Sequence, residues 1–426
     1  MATVQQPLVL SRSAQSASEQ AISFLMQQAV ENVDCISLAA GLVDEATLPA
    51  DLARNTLNGL LTSDAAGRKV LQYGTTPGPD FLRKTFRSYI ARLDENPAVE
   101  DVPLDRFVLT TGSQQLLALT SRALFDPGDI CLVAAPTYFV YLGVLDGVGA
   151  RTVAVRADAQ GMCPEDLDRQ LQQIDDEGQL HRVRMVYVVS YYDNPSGISV
   201  SEDRRPELLR ITKKWSRDHR ILLLEDAAYR ELRYDGPVLP SIWSFDDDHD
   251  TVILAQTFSK SFSPGVRVGL GVLPEDLVKP VCDLKGNEDF GSPQLNQQLM
   301  SSVLQSPAYD EHLKQVTGGY RRKRDTMLNA ADDFFSGIEG VSWVHPHGGL
   351  YVWMTLPKHI ATGFDSDLFQ RATTVDKVMY VPGELSYPLS DDRPNHQMRL
   401  SFGVQSEKGI REGMKRLASA VAAVDV

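Results

Sequence analysis

The sequence predicts an α/β chain in which a mostly parallel, seven-stranded sheet with helices on both faces precedes a smaller α+β domain. Three observations lead there. Short β-branched runs recur between residues 106 and 273, amphipathic helical patterns fill several of the gaps between them, and the pattern changes near residue 315. The runs are "RFVLTT" (106–111), "ICLVAA" (130–135), "RTVAVRA" (151–157), "VRMVYVVS" (183–190), "ILLLED" (221–226), "TVILAQ" (251–256) and "VRVGLGVL" (266–273). Near-continuous apolar runs of this length read as buried parallel strands. The segments 114–125, "QQLLALTSRALF", and 202–217, "EDRRPELLRITKKWSR", place apolar residues at helical spacing, with Gly, Pro or Asp at their ends. Strand, helix, strand in series builds a doubly wound sheet.

The acidic, proline-bearing segments "RLDENPAVEDVPLD" and "SFDDDHD" read as surface loops. From about residue 315 a charged helix, "GGYRRKRDTMLNAADDFF", leads into "VSWVHPHGGLYVWMTLP", "KVMYVPGELSYP", "HQMRLSFG" and an Ala-rich closing helix. Three units follow: an N-terminal segment, 1–50, whose helix near 17–31 packs with the small domain; a large domain, 51–314; and a small C-terminal domain, 315–426.

Composition removes several classes of partner. With 426 residues and 43% hydrophobic content the chain can bury two cores, and its formal charge of −14 repels nucleic acid and anionic membrane. The four cysteines, Cys35, Cys131, Cys163 and Cys282, are widely spaced without a C-x-x-C pair, which fits a reduced cytoplasmic protein and no structural zinc. The start "MATVQQPLVLSRSAQ" lacks the charged and apolar regions of a signal peptide, and no apolar stretch is long enough for a membrane span.

Ligands of open α/β sheets bind at the carboxyl ends of the strands, so the residues that follow each strand carry the functional reading. After the first come Gly112, Ser113 and Gln114 at a helix start, where free N–H groups favour a phosphate. Tyr138 follows the second, Asn194 the fourth, Asp226 and Tyr229 the fifth, and Thr257, Ser259 and Lys260 the sixth, with Arg267 seven residues beyond. Each has a plain alternative: an N-cap, an Asn-Pro turn, a solvated lysine. Five such features at successive ends of one sheet point to a site.

A lysine desolvated beside hydroxyl and cationic groups stays partly neutral and condenses with an aldehyde. Pyridoxal phosphate offers both aldehyde and phosphate, and its ring nitrogen needs a carboxylate to hold its proton, for which Asp226 is placed.

At these residues the chain, from about 36 to 404, resembles the fold-type I pyridoxal-phosphate aminotransferases of class I/II, in the aminoadipate, kynurenine and aromatic branch. "TFSKSFSPGVRVG" is similar to the family's lysine motif, which implies a Schiff base at Lys260 and phosphate contacts from Thr257, Ser259 and Arg267. "GSQQ" implies Ser113 and Gln114 on the phosphate, and "APTYF" implies Tyr138 stacked on the ring. "NPSG" and "DAAY" imply Asn194 and Tyr229 on the phenolic oxygen and Asp226 on the ring nitrogen. "LQYGTTPG" implies that Tyr73 reaches the phosphate of a neighbouring subunit, hence a homodimer with shared sites. "HQMRLSFG" implies that Arg399 clamps the substrate carboxylate, beside Gly41 and Asn194. In the family the segment after the glycine-rich strand reaches the substrate side chain; here it carries Lys285, to pair a distal carboxylate, and Phe290.

The resemblance implies ping-pong exchange of an amino group between an L-amino acid and a 2-oxo acid, Lys260 acting as base and acid. A lyase or a carbocyclase of the aminocyclopropane type on the same fold is the alternative. Three departures touch the pattern: Val43 replaces a proline, "NPSG" keeps the hydroxyl of "NPTG", and "GELSY" (383–387) stands for G-x-x-F-Y. A Ser-Lys acyl transferase fits poorly because the S-x-x-K position is Thr257, and His345 and His347 read as loop or core residues rather than metal ligands. About 35 residues before the first motif leave no room for a DNA-binding module of a regulator.

Overall fold

The structure, a computed structural model, describes residues 8–16, 34–390 and 392–425; the helix expected near 17–31 lies outside the described residues. A short β1 (Ile36–Ser37) precedes the main sheet. That sheet contains β2 (Phe107–Thr110), β3 (Ile130–Ala135), β4 (Arg151–Asp158), β5 (Gly161–Met162), β6 (Val183–Val189), β7 (Leu222–Asp226), β8 (Val252–Thr257) and β9 (Gly269–Val272). Their spatial order is β2-β9-β8-β7-β6-β3-β4-β5. Leu132, Val186, Leu223 and Ile253, one from each of four adjacent central strands, are completely buried. Each such side chain contributes about 2 kcal/mol by leaving water.

Two expectations need correction. β9 is not parallel to its neighbours; it pairs antiparallel with both β2 and β8. The chain between β8 and β9 turns straight back at the carboxyl end of β8, whereas a parallel neighbour needs a crossover to the opposite end. β4 is not a buried strand. It sits near the sheet's edge, and most of its side chains are exposed or half-buried. The two-residue β5 adds an eighth strand beyond it, antiparallel.

The chain runs from β3 outward to β4, then returns to place β6 on the other side of β3 and continues to β7 and β8. The order therefore reverses between β3 and β6, and a crevice opens where the outgoing loops part.

The boundary expected at residue 315 falls inside a helix. A helix spans Pro307–Phe335, capped by Ser306, whose Oγ accepts from the Ala308 N–H. "GG" at 318–319, the expected start of the charged helix, lies inside it, where a Cβ on either glycine would meet nothing within 4 Å. Beyond it, β10 (Ser342–Trp343), β11 (Tyr351–Thr355), β13 (Val381–Pro382) and β14 (Gln397–Ser401) form an antiparallel sheet in the order β10-β11-β14-β13. β12 (Val378–Met379) pairs instead, in parallel, with β1. The closing helix Glu407–Val424 packs on them: a Cβ on Gly413 would lie 3.0 Å from Ile36 Cγ2.

Candidate active site

A cavity of about 480 Å³ lies at the carboxyl ends of the central strands. One end is a cradle. β8 closes on Thr257, whose Oγ1 lies 3.0 Å from Ser259 Oγ. Arg267, in the left-handed region at φ 50° and ψ 50°, donates from Nη1 to Ser259 Oγ at 3.4 Å and from Nη2 to the Thr111 carbonyl at 3.3 Å. Gly112, at φ 74°, starts the helix Ser113–Leu124; a Cβ there would come within 2.8 Å of Arg267 Nη2. Glycine is therefore required at 112 both by the backbone and by the close guanidinium. A helix start, a guanidinium and the hydroxyls of Ser113, Thr257 and Ser259 are a donor set suited to a phosphate, and Gln114 lines the same cavity.

Lys260 lies over the middle. Its Nζ donates to the Gly41 carbonyl at 2.9 Å. Burial lowers its pKa below the usual lysine value, Arg399 and Arg267 add to the lowering, and Tyr351 opposes it. On the neighbouring strand end Asp226 accepts from the Tyr187 hydroxyl at 3.1 Å and, through Oδ1, from the Ala228 N–H at 3.1 Å. Burial pushes the Asp226 carboxyl up to about 6. A cationic ring N–H placed against it would restore the carboxylate. Tyr138 lines the cavity at the start of the helix Phe139–Gly147, and burial raises its phenol above the ordinary value.

The other wall joins distant segments. Arg399, buried on β14, donates from Nη1 to Asn194 Oδ1 at 2.8 Å and from Nη2 to the Ala39 carbonyl at 2.7 Å, while its Nε is buried without a hydrogen-bond partner. A fork so placed in the cavity wall, with three of its five N–H groups uncommitted, suits a carboxylate. Gly41 is held small, since a Cβ would fall 2.8 Å from the Tyr351 hydroxyl.

Two expected residues stand outside this cavity. Tyr73 is 81% exposed and packs its ring 6.4 Å from that of Phe290, itself 75% exposed. Lys285, expected to pair a distal substrate carboxylate, is paired within the chain instead. It lies in the helix Glu275–Asp289, its side chain fully buried, with Nζ 2.8 Å from Asp289 Oδ1. Asp289 Oδ2 in turn accepts from Gln115 Nε2 at 2.8 Å, and Gln115 Oε1 accepts from the Thr111 N–H at 2.9 Å. Lys285 thus supports the cradle from behind.

Sequence reasoning missed Tyr351, Phe139 and Tyr187. Tyr351 is placed by the register: antiparallel β11 pairs Trp353 with Arg399, and side chains two apart share a face, so Tyr351 stands on the arginine's side. Among the described residues no three His, Cys, Asp or Glu side chains cluster as metal ligands, and no helix is long and apolar enough to cross a membrane.

The model of the family described as aminotransferase class I and II matches residues 33–417. The chain belongs to this family. The aminotransferase is 32% identical to aromatic-amino-acid aminotransferase 1 of Thermococcus litoralis, over 92% of this chain and 89% of the relative. It is 30% identical to the 2-aminoadipate transaminase of Thermus thermophilus, over 91% and 90%. The crystal structure of the kynurenine aminotransferase of Pyrococcus horikoshii, solved with PMP and KYN as substrates and KYA as products, superposes with a TM-score of 0.87 at 32% identity, covering 97% of both chains. This aminotransferase therefore transfers amino groups between amino and 2-oxo acids with pyridoxal phosphate, and the relatives favour that reaction over the lyase or carbocyclase alternative.

Proposed function

We propose that the cavity divides the work of transamination among named side chains, with Lys260 at its centre. The observation that carries this reading is the environment of Lys260: a buried ammonium, its pKa lowered, between a phosphate-type cradle and a carboxylate-type fork. When bound, pyridoxal phosphate supplies the aldehyde that receives the amino group and the ring that accepts the electron pair left at the substrate Cα. Lys260 Nζ would hold that aldehyde, and the same amine, its pKa lowered, would take the proton from the substrate Cα. Asp226 would hold the ring-nitrogen proton. Ser113, Gln114, Thr257, Ser259 and Arg267 would hold the phosphate, Tyr138 the ring, and Asn194 and Tyr229 the phenolic oxygen. Arg399 orients the substrate carboxylate beside Gly41.

The side-chain end of the cavity supports an aromatic or large aliphatic amino donor. Leu42, Phe139 and Val140 line the cavity, and the three cations on its lining, Lys260, Arg267 and Arg399, all have other duties here. Lys285, paired with Asp289, adds no fourth. Exposed Tyr73, Phe290 and Leu71 support a homodimer in which Tyr73 completes the partner's cradle. The unpaired cysteines support a reduced, cytoplasmic setting.

Lys260→Ala tests the reading in a half-reaction with an aromatic amino acid, following release of the 2-oxo acid. The variant should bind cofactor and lose about 10⁴-fold or more in rate. A rate within about tenfold of the parent would end the proposal.

A further inference from the structure

Behind Tyr229 stands a second tyrosine with no role in the reading above. Tyr351, 1% exposed at the start of β11, places its hydroxyl oxygen 3.1 Å from that of Tyr229, with the rings edge to face at 76°. The same ring lies under Arg399, whose guanidinium carbon is 4.4 Å from the ring centre. The chain protects this position, because any Cβ at residue 41 would fall 2.8 Å from the Tyr351 hydroxyl. The charged or titratable groups around Tyr351 are Tyr229, Tyr138, Lys260, Arg399 and Tyr320. It touches both halves of the cavity.

We propose that Tyr351 is a positioning residue with two separable duties: its hydroxyl sets the hydrogen-bond direction of Tyr229, and its ring holds the Arg399 fork. The inference rests on the proposed role of Tyr229 at the phenolic oxygen. A tyrosine has a single hydroxyl proton, so if Tyr229 spends it on that oxygen, the contact with Tyr351 persists only with Tyr351 as donor. A chain of two donors strengthens the terminal bond by polarisation, which stabilises the unprotonated form of the Lys260 Schiff base. The ring acts on different atoms. A guanidinium over the face of a buried tyrosine is held by cation–π attraction, which fixes the plane of the fork before substrate arrives.

The test uses the holoenzyme without substrate, titrating the visible absorbance of the bound cofactor, together with KM for an aromatic amino acid. Tyr351→Phe keeps the ring and removes the hydroxyl. It should raise the absorbance pKa by about half a unit and leave KM within about twofold. Tyr351→Leu removes both and should add a rise of about tenfold in KM. Tyr229→Phe is the control. If it moves the absorbance pKa while Tyr351→Phe does not, the hydroxyl duty is overturned and the reading of Tyr229 stands. If neither variant moves it, the role of Tyr229 and the relay built on it both fall. If Tyr351→Leu raises KM no more than Tyr351→Phe, the ring duty is overturned.

Discussion

Thr257, Ser259, Lys260 and Arg267 stand on one turn between β8 and β9, whereas the wall opposite joins Arg399 to Ala39 across 360 positions of sequence. The first group is placed by a local device: a strand ends, the chain reverses, and a left-handed Arg267 closes the turn against Gly112. The second exists only after the small sheet, the 36–41 segment and the loop beyond β6 have packed together. The contrast separates two kinds of consequence. Damage to the turn should stop chemistry, while damage to the opposite wall should loosen substrate and leave chemistry intact once substrate is held.

Arg399→Ala is the strongest challenge to that division. It should lower kcat/KM for amino acids by roughly 10²- to 10³-fold, mostly through KM, because a buried charge-assisted fork is lost. Amines that lack the carboxylate should be affected far less. Equal loss for acids and amines, measured by steady-state kinetics, would show that Arg399 acts on the fold instead.

Lys285 sharpens the comparison from the cradle side. Its ion pair with Asp289 continues through Gln115 to Thr111, the residue before Gly112, and Thr111 also accepts from Arg267. Lys285→Met should cost about 2 kcal/mol in thermal unfolding and weaken cofactor retention, because it leaves Asp289 without its buried cation. Dicarboxylic and aromatic substrates should lose rate equally. A selective loss for dicarboxylic substrates would return Lys285 to substrate recognition.

The smallest effect concerns Asp193, which adjoins Asn194 and accepts from Ser196 Oγ at 2.8 Å. Burial pushes its carboxyl up from 3.8 to about 7 against the Ser196 hydrogen bonds. A carboxyl raised on folding binds more protons in the native state than in the unfolded one between those values, so stability falls as pH rises from about 4 to about 7. Asp226, raised to about 6, adds to the same slope in the cofactor-free protein. Asp193→Asn should flatten the dependence of Tm on pH in that window. An unchanged slope would show that Asp193 keeps an ordinary pKa.

Most of the sheet was legible because a strand buried on both faces leaves a continuous apolar run, and the polar residues that end each run mark the cavity's floor. What escaped is not written locally. The direction of β9 depends on which neighbour it joins, and the helix expected from "GG" at 318–319 starts a further eleven residues upstream, at Pro307. Lys285 reads as a substrate contact until the helix Glu275–Asp289 packs against the cradle and pairs it with Asp289, which in turn accepts from Gln115. Tyr351 needed the pairing of β11 with β14 before its side of the sheet was known.

The most direct test of the central claim is to locate the covalent link itself. Holoenzyme reduced with borohydride, digested and sequenced by mass spectrometry should carry the reduced cofactor on one peptide, at Lys260 of "TFSKSFSPGVR". Modification at another lysine, with Lys260 unlabelled, would contradict the account.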